Sequence, residues 1–306
     1  MQLFSAFVSL SHREAPPLPQ LPVRARRVGV AVAAGSGFLL LGGCSAKEQE
    51  SIKRLAQPVG VTDRTTGIHH LWMGSWLVAI LVGILVWGLI IYACIKFRRR
   101  RDDEIPVQTR YNLPLEILYT VAPVVMVLVF FYFTALEQNK VLASAEPSGP
   151  PDHVVTVVGQ QWSWTFNYDK DPALDGRTTV FEAGTPAYMP TLVLPVNRSV
   201  EFKLRSPDVI HSFWVPAFLF KMDVVPGRDN HFSLTPQRIG KYVGKCAELC
   251  GTYHSRMLFN VKVVSEADYA TYLKKLQSQG NIGPALGGSE VNHQAGLEDN
   301  KKGDNQ

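Results

Sequence analysis

Cysteine is scarce in this sequence, and its scarcity limits the kinds of protein that the chain can form. The 306 residues include four cysteines, Cys44, Cys94, Cys246 and Cys250. A secreted domain held together by disulfides normally has more cysteines in a shorter chain. A disulfide-stapled scaffold is therefore not predicted, and each cysteine has to be considered separately. Cys94 lies inside an apolar run, where a thiol acts as a small packing residue.

An excess of positive charge is missing from most of the chain, although the formal net charge is +5. Residues 1–43 hold four arginines and one glutamate, and residues 96–110 hold six basic and three acidic residues. The remainder, with 21 basic and 22 acidic residues, is close to neutral. We therefore expect no basic face on the folded domain, and nucleic-acid binding is not predicted.

Residues 1–43 have the pattern of a processing segment. Three arginines within 24–27 precede an apolar run over 28–41, which is shorter than the ~20 residues needed to cross a bilayer. A basic stretch, an apolar run and small residues before a cut are typical of a signal peptide. The sequence LGGC at 41–44 resembles the bacterial lipoprotein cleavage box, which predicts lipidation of Cys44. The alternative is an ordinary signal-peptide cut with Cys44 incidental.

Two later stretches are long and apolar enough to cross a membrane. Residues 71–95 and 117–136 contain no charged residue, and the first would span ~38 Å as a helix. The six basic residues within 96–110 place the intervening loop in the cytoplasm by the positive-inside rule. We predict a transmembrane hairpin over 71–136, preceded by an extracytoplasmic segment over 44–70.

The second half of the chain has a different character. Residues 137–151 are polar and proline-rich, which predicts a linker. Over 152–265, short β-branched runs separated by Gly, Pro and Asn predict an all-β sandwich or barrel. No helical pattern alternates with these runs, which argues against a βαβ fold. A helix capped by Ser265 is predicted over 266–279, followed by a disordered tail over 280–306.

One loop of the β region concentrates soft metal donors. The stretch CAELCGTYHSRM holds Cys246, Cys250, His254 and Met257. Thiolate and thioether ligands select copper, whereas imidazole accepts copper or zinc. Two bridging thiolates can hold two copper ions close together, each with one imidazole and one weaker ligand. His211, which opens the stretch HSFWVP after an apolar run, is predicted to supply the second imidazole.

The same donors allow two alternatives to a copper site. A structural zinc site would use the two cysteines, His211 and His254, and would leave Met257 idle. A disulfide between Cys246 and Cys250 is possible outside the cytoplasm. The remaining histidines have no comparable company and are assigned no role; they are at positions 12, 69, 70, 153, 231 and 293.

Several motifs together resemble one protein family. The hairpin and the stretches QQWSWTFNY, HSFWVP, KMDVVPGR and CAELCGTYHSRM are similar to subunit II of haem-copper cytochrome c oxidase, from about residue 60 to 275. The lipoprotein box and the basic loop fit bacterial members. The resemblance implies a mixed membrane protein, with a two-helix transmembrane hairpin followed by an all-β cupredoxin-like barrel. Such a chain lies in the bacterial plasma membrane with the barrel on the extracytoplasmic side.

The resemblance also implies a binuclear copper centre, CuA. Its two bridging thiolates, two terminal imidazoles and weak axial thioether match Cys246 and Cys250, His211 and His254, and Met257. Glu248 matches the residue whose backbone carbonyl ligates one copper. Its side chain is implied to reach a Mg2+ ion at the interface with subunit I, and carboxylate oxygen suits such a hard cation.

Two residues outside the metal loop gain roles from the resemblance. Trp162 matches the surface tryptophan that receives electrons from cytochrome c. Trp164, Phe166 and Tyr168 continue its two-residue spacing, which favours a core-facing stripe on a strand. Glu116 matches a carboxylate at the mouth of a proton pathway into subunit I; the alternative is a carboxylate resting at the headgroup boundary.

The function implied is that of subunit II of cytochrome c oxidase. It would take electrons from cytochrome c, or from a c-type cytochrome domain, and pass them to subunit I, where oxygen is reduced to water with proton pumping. Its partners would be subunits I and III and membrane lipid. A membrane-anchored copper chaperone or thiol oxidoreductase is the competing class, but it needs a thioredoxin-like alternation of strands and helices. A quinol-oxidising relative would lack the copper ligands.

Overall fold

The structure is a computed structural model that describes residues 45–99, 101, 105, 108–143 and 149–288. The predicted signal peptide and the lipidation site at Cys44 lie outside these residues. The residues through Ala56 form a unit of their own, in which helix α1 spans Ala46–Lys53. The side chains of Ser45 and Glu48 each accept a hydrogen bond from the other residue's backbone N–H, and this capping box begins the helix.

Two long apolar helices follow, and they contain both predicted membrane spans. Helix α2 (Thr65–Lys96) has 32 residues and helix α3 (Leu113–Leu142) has 30 residues. At ~1.5 Å per residue, each is longer than the ~30 Å hydrocarbon core of a bilayer. Their most apolar segments are not buried by the part of the chain that the structure describes, as expected for helices that face lipid or other membrane proteins.

Helix α3 extends beyond the predicted span at both ends. Its N-terminus is capped by the Asn112 side chain, which accepts a hydrogen bond from the Leu115 N–H. At the other end the helix continues through Leu142, into the predicted linker. Glu137 and Lys140 pair at 2.6 Å across one turn there, and both residue types favour helix. The linker therefore begins later than the sequence predicts.

Hydrogen bonds join the segment before the hairpin to the β domain. The Val61 N–H donates to the Ala217 carbonyl at 3.1 Å, and the Val61 carbonyl accepts from the Gln237 N–H at 2.8 Å. The Thr235 N–H donates to the Asp63 carboxylate at 2.8 Å. Since Asp63 lies just before α2, these contacts define the membrane-proximal end of the β domain.

The strands of the described residues form two five-stranded sheets, in the orders β3-β2-β1-β5-β8 and β4-β10-β9-β6-β7. The pairs β1–β5 and β4–β10 are parallel, and the other pairs are antiparallel. The all-β prediction for this region is confirmed. The strands are β1 (His153–Gln160), β2 (Ser163–Tyr168), β3 (Val180–Ala183), β4 (Thr191–Pro195), β5 (Val200–Arg205), β6 (His211–Val215), β7 (Phe220–Val224), β8 (Asn230–Leu234), β9 (Gly240–Cys246) and β10 (Leu258–Val264).

Aromatic side chains fill the space between the two sheets. Trp164, Phe166 and Tyr168 alternate along β2 and are fully buried, which confirms the predicted core-facing stripe for these three residues. Phe213 on β6 stacks on Phe259 of β10 with ring centroids 5.1 Å apart. The two-residue period of a strand places such side chains inward and their neighbours outward.

The predicted C-terminal helix is present as α4 (Glu266–Ser278). Ser265 caps it by accepting a hydrogen bond from the Asp268 N–H. Its buried residues are Tyr269, Leu273 and Leu276. The Tyr272 hydroxyl donates to the Thr191 carbonyl at 3.2 Å, so α4 covers the β4 side of the second sheet.

The residues directly after α4 differ from the predicted disorder. The Gly283 N–H donates to the Thr179 carbonyl at 2.8 Å. Ala285 donates its N–H to the Asn167 side chain at 2.7 Å and accepts from that side chain at 3.0 Å. Asn167 is fully buried, and a buried amide needs such partners. Disorder from residue 280 is therefore wrong for this stretch, and residues 289–306 lie outside the described part.

Candidate metal centre

Strand pairing brings the distant histidine to the cysteine loop. His211 is the first residue of β6, and Cys246 is the last residue of β9. These strands run antiparallel with Phe213 opposite Cys246, which places His211 beside the thiol. The loop then returns through a short 3-10 turn (His254–Arg256) to Met257. A hydrogen bond from the Cys246 N–H to the Met257 carbonyl, 3.0 Å long, closes the loop.

The five predicted side-chain donors converge at this end of the domain. The two thiol sulfurs, of Cys246 and Cys250, are 3.9 Å apart. Cys246 Sγ lies 3.8 Å from His211 Nδ1, and Cys250 Sγ lies 3.5 Å from His254 Nδ1. Met257 Sδ is 3.7 Å from Cys250 Sγ. Each sulfur of the thiol pair therefore has one imidazole beside it, and the two thiols face each other.

This donor set fits a soft metal. Both cysteines are free thiols in the structure, so the predicted disulfide alternative is not observed. Ligand atoms of His211, Cys246 and Cys250 all lie within 4.8 Å of one another. The thioether of Met257 is fully buried at the same place, where a zinc site of cysteines and histidines would have no use for it. Thiolate, imidazole and thioether together favour copper.

A backbone oxygen adds a sixth donor. The Glu248 carbonyl lies 3.2 Å from Cys246 Sγ, whereas the Glu248 side chain is exposed. The carbonyl is thus next to Cys246, and the side chain is open to solvent. Residue patterns alone do not predict this role for Glu248, because a glutamate in a loop has the pattern of an ordinary solvated acid.

The two thiols differ in acidity when no metal is bound. Burial acts to raise the pKa of Cys246, but hydrogen bonding to His211 and to backbone groups outweighs it and lowers that pKa to about 7. Burial and the neighbouring Cys246 raise the pKa of Cys250 to about 12. One thiolate is therefore available near neutral pH. A metal ion has to displace the second proton, since the thiolate is the ligand.

Asp208 positions His211, and no sequence pattern predicted this contact. Its carboxylate lies 2.9 Å from His211 Nε2, so the other ring nitrogen, Nδ1, is the one turned towards Cys246. The same carboxylate accepts a hydrogen bond from the Gln161 N–H at 2.7 Å. Carboxylates that hold a ligating imidazole by its second nitrogen are common at metal sites. The available signal was an aspartate three residues before the histidine.

Trp162 lies directly against the metal loop, outside the strand that holds the other aromatic residues. Its indole N–H donates to the Cys250 carbonyl at 3.1 Å, and its ring meets Tyr253 edge-on at 5.0 Å between centroids. Gly251 makes this approach possible, since a Cβ there would lie 3.0 Å from the indole. The tryptophan is partly exposed. It therefore connects solvent to the cysteine loop.

Glu116 is far along the chain from this site and lies in the first turn of α3. Its carboxylate accepts a hydrogen bond from the Asn112 N–H at 3.0 Å. This contact caps the helix at the end opposite to the β-domain junction. The described geometry thus gives Glu116 a local structural role.

The fold and the donor set define a class of protein, a membrane-anchored β domain with a copper-type site. Residues 54–137 match the family described as cytochrome c oxidase subunit II, transmembrane domain, and residues 153–264 match its periplasmic domain. A probable cytochrome c oxidase subunit 2 of Streptomyces avermitilis is 44% identical, covering 92% of this chain and 97% of that protein. The chain therefore belongs to the cytochrome c oxidase subunit II family.

Two further relatives agree with this assignment, and a solved structure shows similarity as well. A probable cytochrome c oxidase subunit 2 of Streptomyces coelicolor is 41% identical, covering 92% of this chain and 97% of that protein. The cytochrome c oxidase subunit 2 of Mycobacterium tuberculosis is 33% identical, covering 82% of each. Among solved structures, the periplasmic domain of subunit II (CoxB) of Bradyrhizobium japonicum is 28% identical, with a TM-score of 0.37, and covers 43% of this chain and 97% of that one.

Family membership settles the broad predictions. The chain is a subunit of a terminal oxidase, and it is a bacterial membrane protein with a periplasmic cupredoxin-like domain. Membership also implies copper, and His211, Cys246 and Cys250 form a group that could hold a metal ion. The competing chaperone or oxidoreductase class is not favoured, because residues 149–288 show two β sheets and no alternation of strands with helices.

Proposed function

We propose that the donors at the end of the β domain hold a binuclear copper centre, CuA. The two cysteines would bridge the metals, the two histidines would each bind one copper, and the thioether and the carbonyl would be weak ligands. The observation that supports this is the pair of thiols 3.9 Å apart, each with its own imidazole nitrogen within 3.8 Å. The ligands would be Cys246, Cys250, His211, His254, Met257 and the Glu248 carbonyl.

The scaffold suits an electron relay more than bond chemistry. Two copper ions held by these residues would supply a reservoir for one electron. The chain holds the donors on paired strand ends and a hydrogen-bonded loop. The loop therefore has little freedom to rearrange when the charge changes. Burial of the donors and the Asp208–His211 contact tune the potential.

Electrons would enter at Trp162 from cytochrome c or a c-type cytochrome domain. The indole is partly exposed and contacts the Cys250 carbonyl, so it offers a short path to the thiolates. A transient redox contact is small, below ~1,200 Å2. The electrons would then pass to the haems of subunit I, where oxygen is reduced and protons are pumped.

Further assignments follow from the family resemblance. The exposed Glu248 carboxylate would meet a Mg2+ ion at the interface with subunit I, and subunit III would complete the core complex. Glu116 would lie at the entrance of a proton pathway. Its position at the end of α3 opposite to the β domain agrees with a cytoplasmic location. Cys44 would carry the lipid anchor.

Electron paramagnetic resonance of the copper-loaded, full-length chain in detergent tests this proposal. A mixed-valence pair gives a hyperfine pattern from two equivalent copper nuclei. A single-copper pattern, or no uptake of copper, would contradict the binuclear centre. A silent spectrum with bound zinc would support the structural-zinc alternative instead.

A further inference from the structure

The charged residues of the β domain are sorted between its two sheets. The strands of the first sheet hold two acidic and two basic residues, at Glu182, Glu201, Lys203 and Arg205. The strands of the second sheet hold four lysines and one aspartate, at Lys221, Lys241, Lys245, Lys262 and Asp223. The expectation of no basic face is therefore wrong for this sheet. A count of charged residues over the whole chain does not show that one sheet holds more lysines than the other.

These lysines lie on the outer side of the second sheet. All four are exposed, while several of their neighbours along β9 and β10 point into the core. Lys221 and Lys245 lie on either side of Trp214 by strand pairing. Lys241 and Lys245 lie two residues before and after Val243 on β9, and the Val243 side chain is 65% exposed. We call this surface the basic face: Lys221, Lys241, Lys245, Lys262, Trp214 and Val243.

The register of the strands places like charges together. Lys241 pairs directly with Lys262 across β9 and β10, and like charges opposite each other destabilise a sheet. Lys221 and Lys245 both pair with Trp214, and the Lys245 ammonium lies 4.6 Å from the indole centroid. Within the described residues, none of the four lysines forms an ion pair with a carboxylate. Asp223, two residues from Lys221 on β7, is exposed on the same side of the sheet, and Lys245 contacts the Trp214 ring, so the fold compensates this charge only in part.

Most of the basic face lies away from α4, although Lys262 borders a cleft that Asp268 and Tyr272 of this helix also line. The helix packs on the β4 side, where Tyr272 reaches Thr191. On β9, by contrast, the outward-facing Val243 stays exposed, and the Trp214 ring of β6 is only partly covered. A partly uncovered indole beside lysines that form no ion pair within the described residues has the composition of an interface, with an aromatic anchor and a charged rim.

The direction of the strands indicates where a partner would sit. Strand β9 begins at Gly240, three residues after Gln237. The Gln237 N–H is hydrogen-bonded to the Val61 carbonyl at the membrane-proximal end. It ends at Cys246, at the metal centre. The basic face therefore runs from the membrane-proximal end towards the metal. A flat bilayer would meet only its lower edge, whereas a protein beside the domain can cover all of it.

We propose that the basic face is a docking surface for an acidic protein surface that stands beside the β domain on the periplasmic side. Complementary charge supplies the recognition, and Trp214 supplies a central apolar contact. The proposal does not depend on copper, because none of the six residues is a metal donor. It adds an interaction surface that is separate from the Trp162 side of the metal loop.

Zero-length cross-linking in native membranes tests the proposal directly. A water-soluble carbodiimide joins lysine amines to carboxylates in contact with them, and mass spectrometry then identifies both peptides. We expect cross-links from at least two lysines of the basic face to Asp or Glu residues of another polypeptide. Lys274, exposed on α4, serves as the control and should give none. If an amine-acetylating reagent modifies all four lysines in native membranes, the proposal is wrong. If the lysines are protected from the reagent but give no cross-link to a protein, the proposal is also wrong, and anionic lipid covers the face instead.

A charge-reversal pair separates docking from folding. Lys262→Glu places an opposite charge across from Lys241, so it should raise the melting temperature of the chain while weakening the partner's co-purification at least ten-fold. Lys274→Glu makes the same charge change outside the basic face and should affect neither. A Lys262→Glu chain that melts higher and still retains its partner would contradict the proposal. The copper spectrum of both variants should stay unchanged, which keeps this test independent of the proposed function.

Discussion

Two buried histidines, at opposite ends of the β domain, have the same kind of partner and different surroundings. His211 lies 2.9 Å from Asp208, and His153 lies 2.9 Å from Asp171. Both imidazoles are almost inaccessible. The pairing alone therefore does not distinguish a metal ligand from a structural histidine.

The difference lies in what else surrounds each pair. At the metal end, the Asp208 carboxylate is hydrogen-bonded to Nε2 of His211, so Nδ1 faces the Cys246 thiol at 3.8 Å. At the other end, Nδ1 of His153 is hydrogen-bonded to the Asp171 carboxylate. The same carboxylate oxygen accepts a hydrogen bond from the Tyr269 hydroxyl at 2.6 Å. The first pair orients a ligand. The second ties strand β1 to helix α4.

Removing one thiolate should abolish the two-copper site and leave the His153–Asp171 cluster unchanged. Cys250→Ser takes away one of the two bridging sulfurs, so we expect the purple absorption of the two-copper site to disappear. Copper content and visible spectra of the purified chain measure this. His153→Gln is the matched control and should bind copper like the wild type. Unchanged absorption in Cys250→Ser would refute the ligand assignment.

Removing the aspartate at the structural end should act on stability alone. Asp171→Ala leaves the Tyr269 hydroxyl and the His153 ring without their shared acceptor. Each buried donor left without its acceptor costs about 1–3 kcal/mol. Thermal unfolding in detergent should show a large loss, while copper bound per folded chain stays the same. A variant as stable as the wild type would show that this cluster does not hold α4.

The equivalent change at the metal end should act on the metal more than on the fold. Asp208→Asn keeps the shape but replaces the carboxylate that holds His211, and such outer contacts are worth roughly 10–100-fold in metal affinity. Competition with a copper chelator measures the affinity. Asp171→Asn is the comparison variant and should leave the affinity unchanged. Equal effects of the two variants would remove the distinction between the pairs.

A smaller change sharpens the structural half of the comparison. Tyr269→Phe deletes one hydroxyl and leaves the His153–Asp171 contact in place, so we expect a loss of about 1 kcal/mol. Denaturant unfolding measures it, with Tyr272→Phe as the comparison for another hydroxyl on the same helix, which donates to the Thr191 carbonyl. A loss as large as that of Asp171→Ala would mean that the tyrosine, and not the carboxylate, is central.

Local patterns made much of this molecule predictable. The apolar runs predicted both long helices, because an uncharged run of this length fits the thickness of a bilayer. Ser265 predicted the start of α4 through a contact three residues away. Cys246, Cys250 and His254 were found because one short loop contains them. In each case, the deciding interactions lie close together along the chain.

What the sequence did not reveal depends on contacts between distant segments. His153 was assigned no role, since its partners Asp171 and Tyr269 are far away along the chain. Residues such as Ala285 were expected to be disordered, because polar glycine-rich composition does not show that the buried Asn167 needs backbone partners. The basic face was missed for a similar reason: only strand register places Lys241 opposite Lys262.

The number of copper ions bound per full-length chain tests the central claim most directly. Metal analysis after copper loading and removal of loosely bound ions should give two copper ions per chain, in the wild type and in His153→Gln alike. One ion per wild-type chain would contradict a centre built on two bridging thiolates.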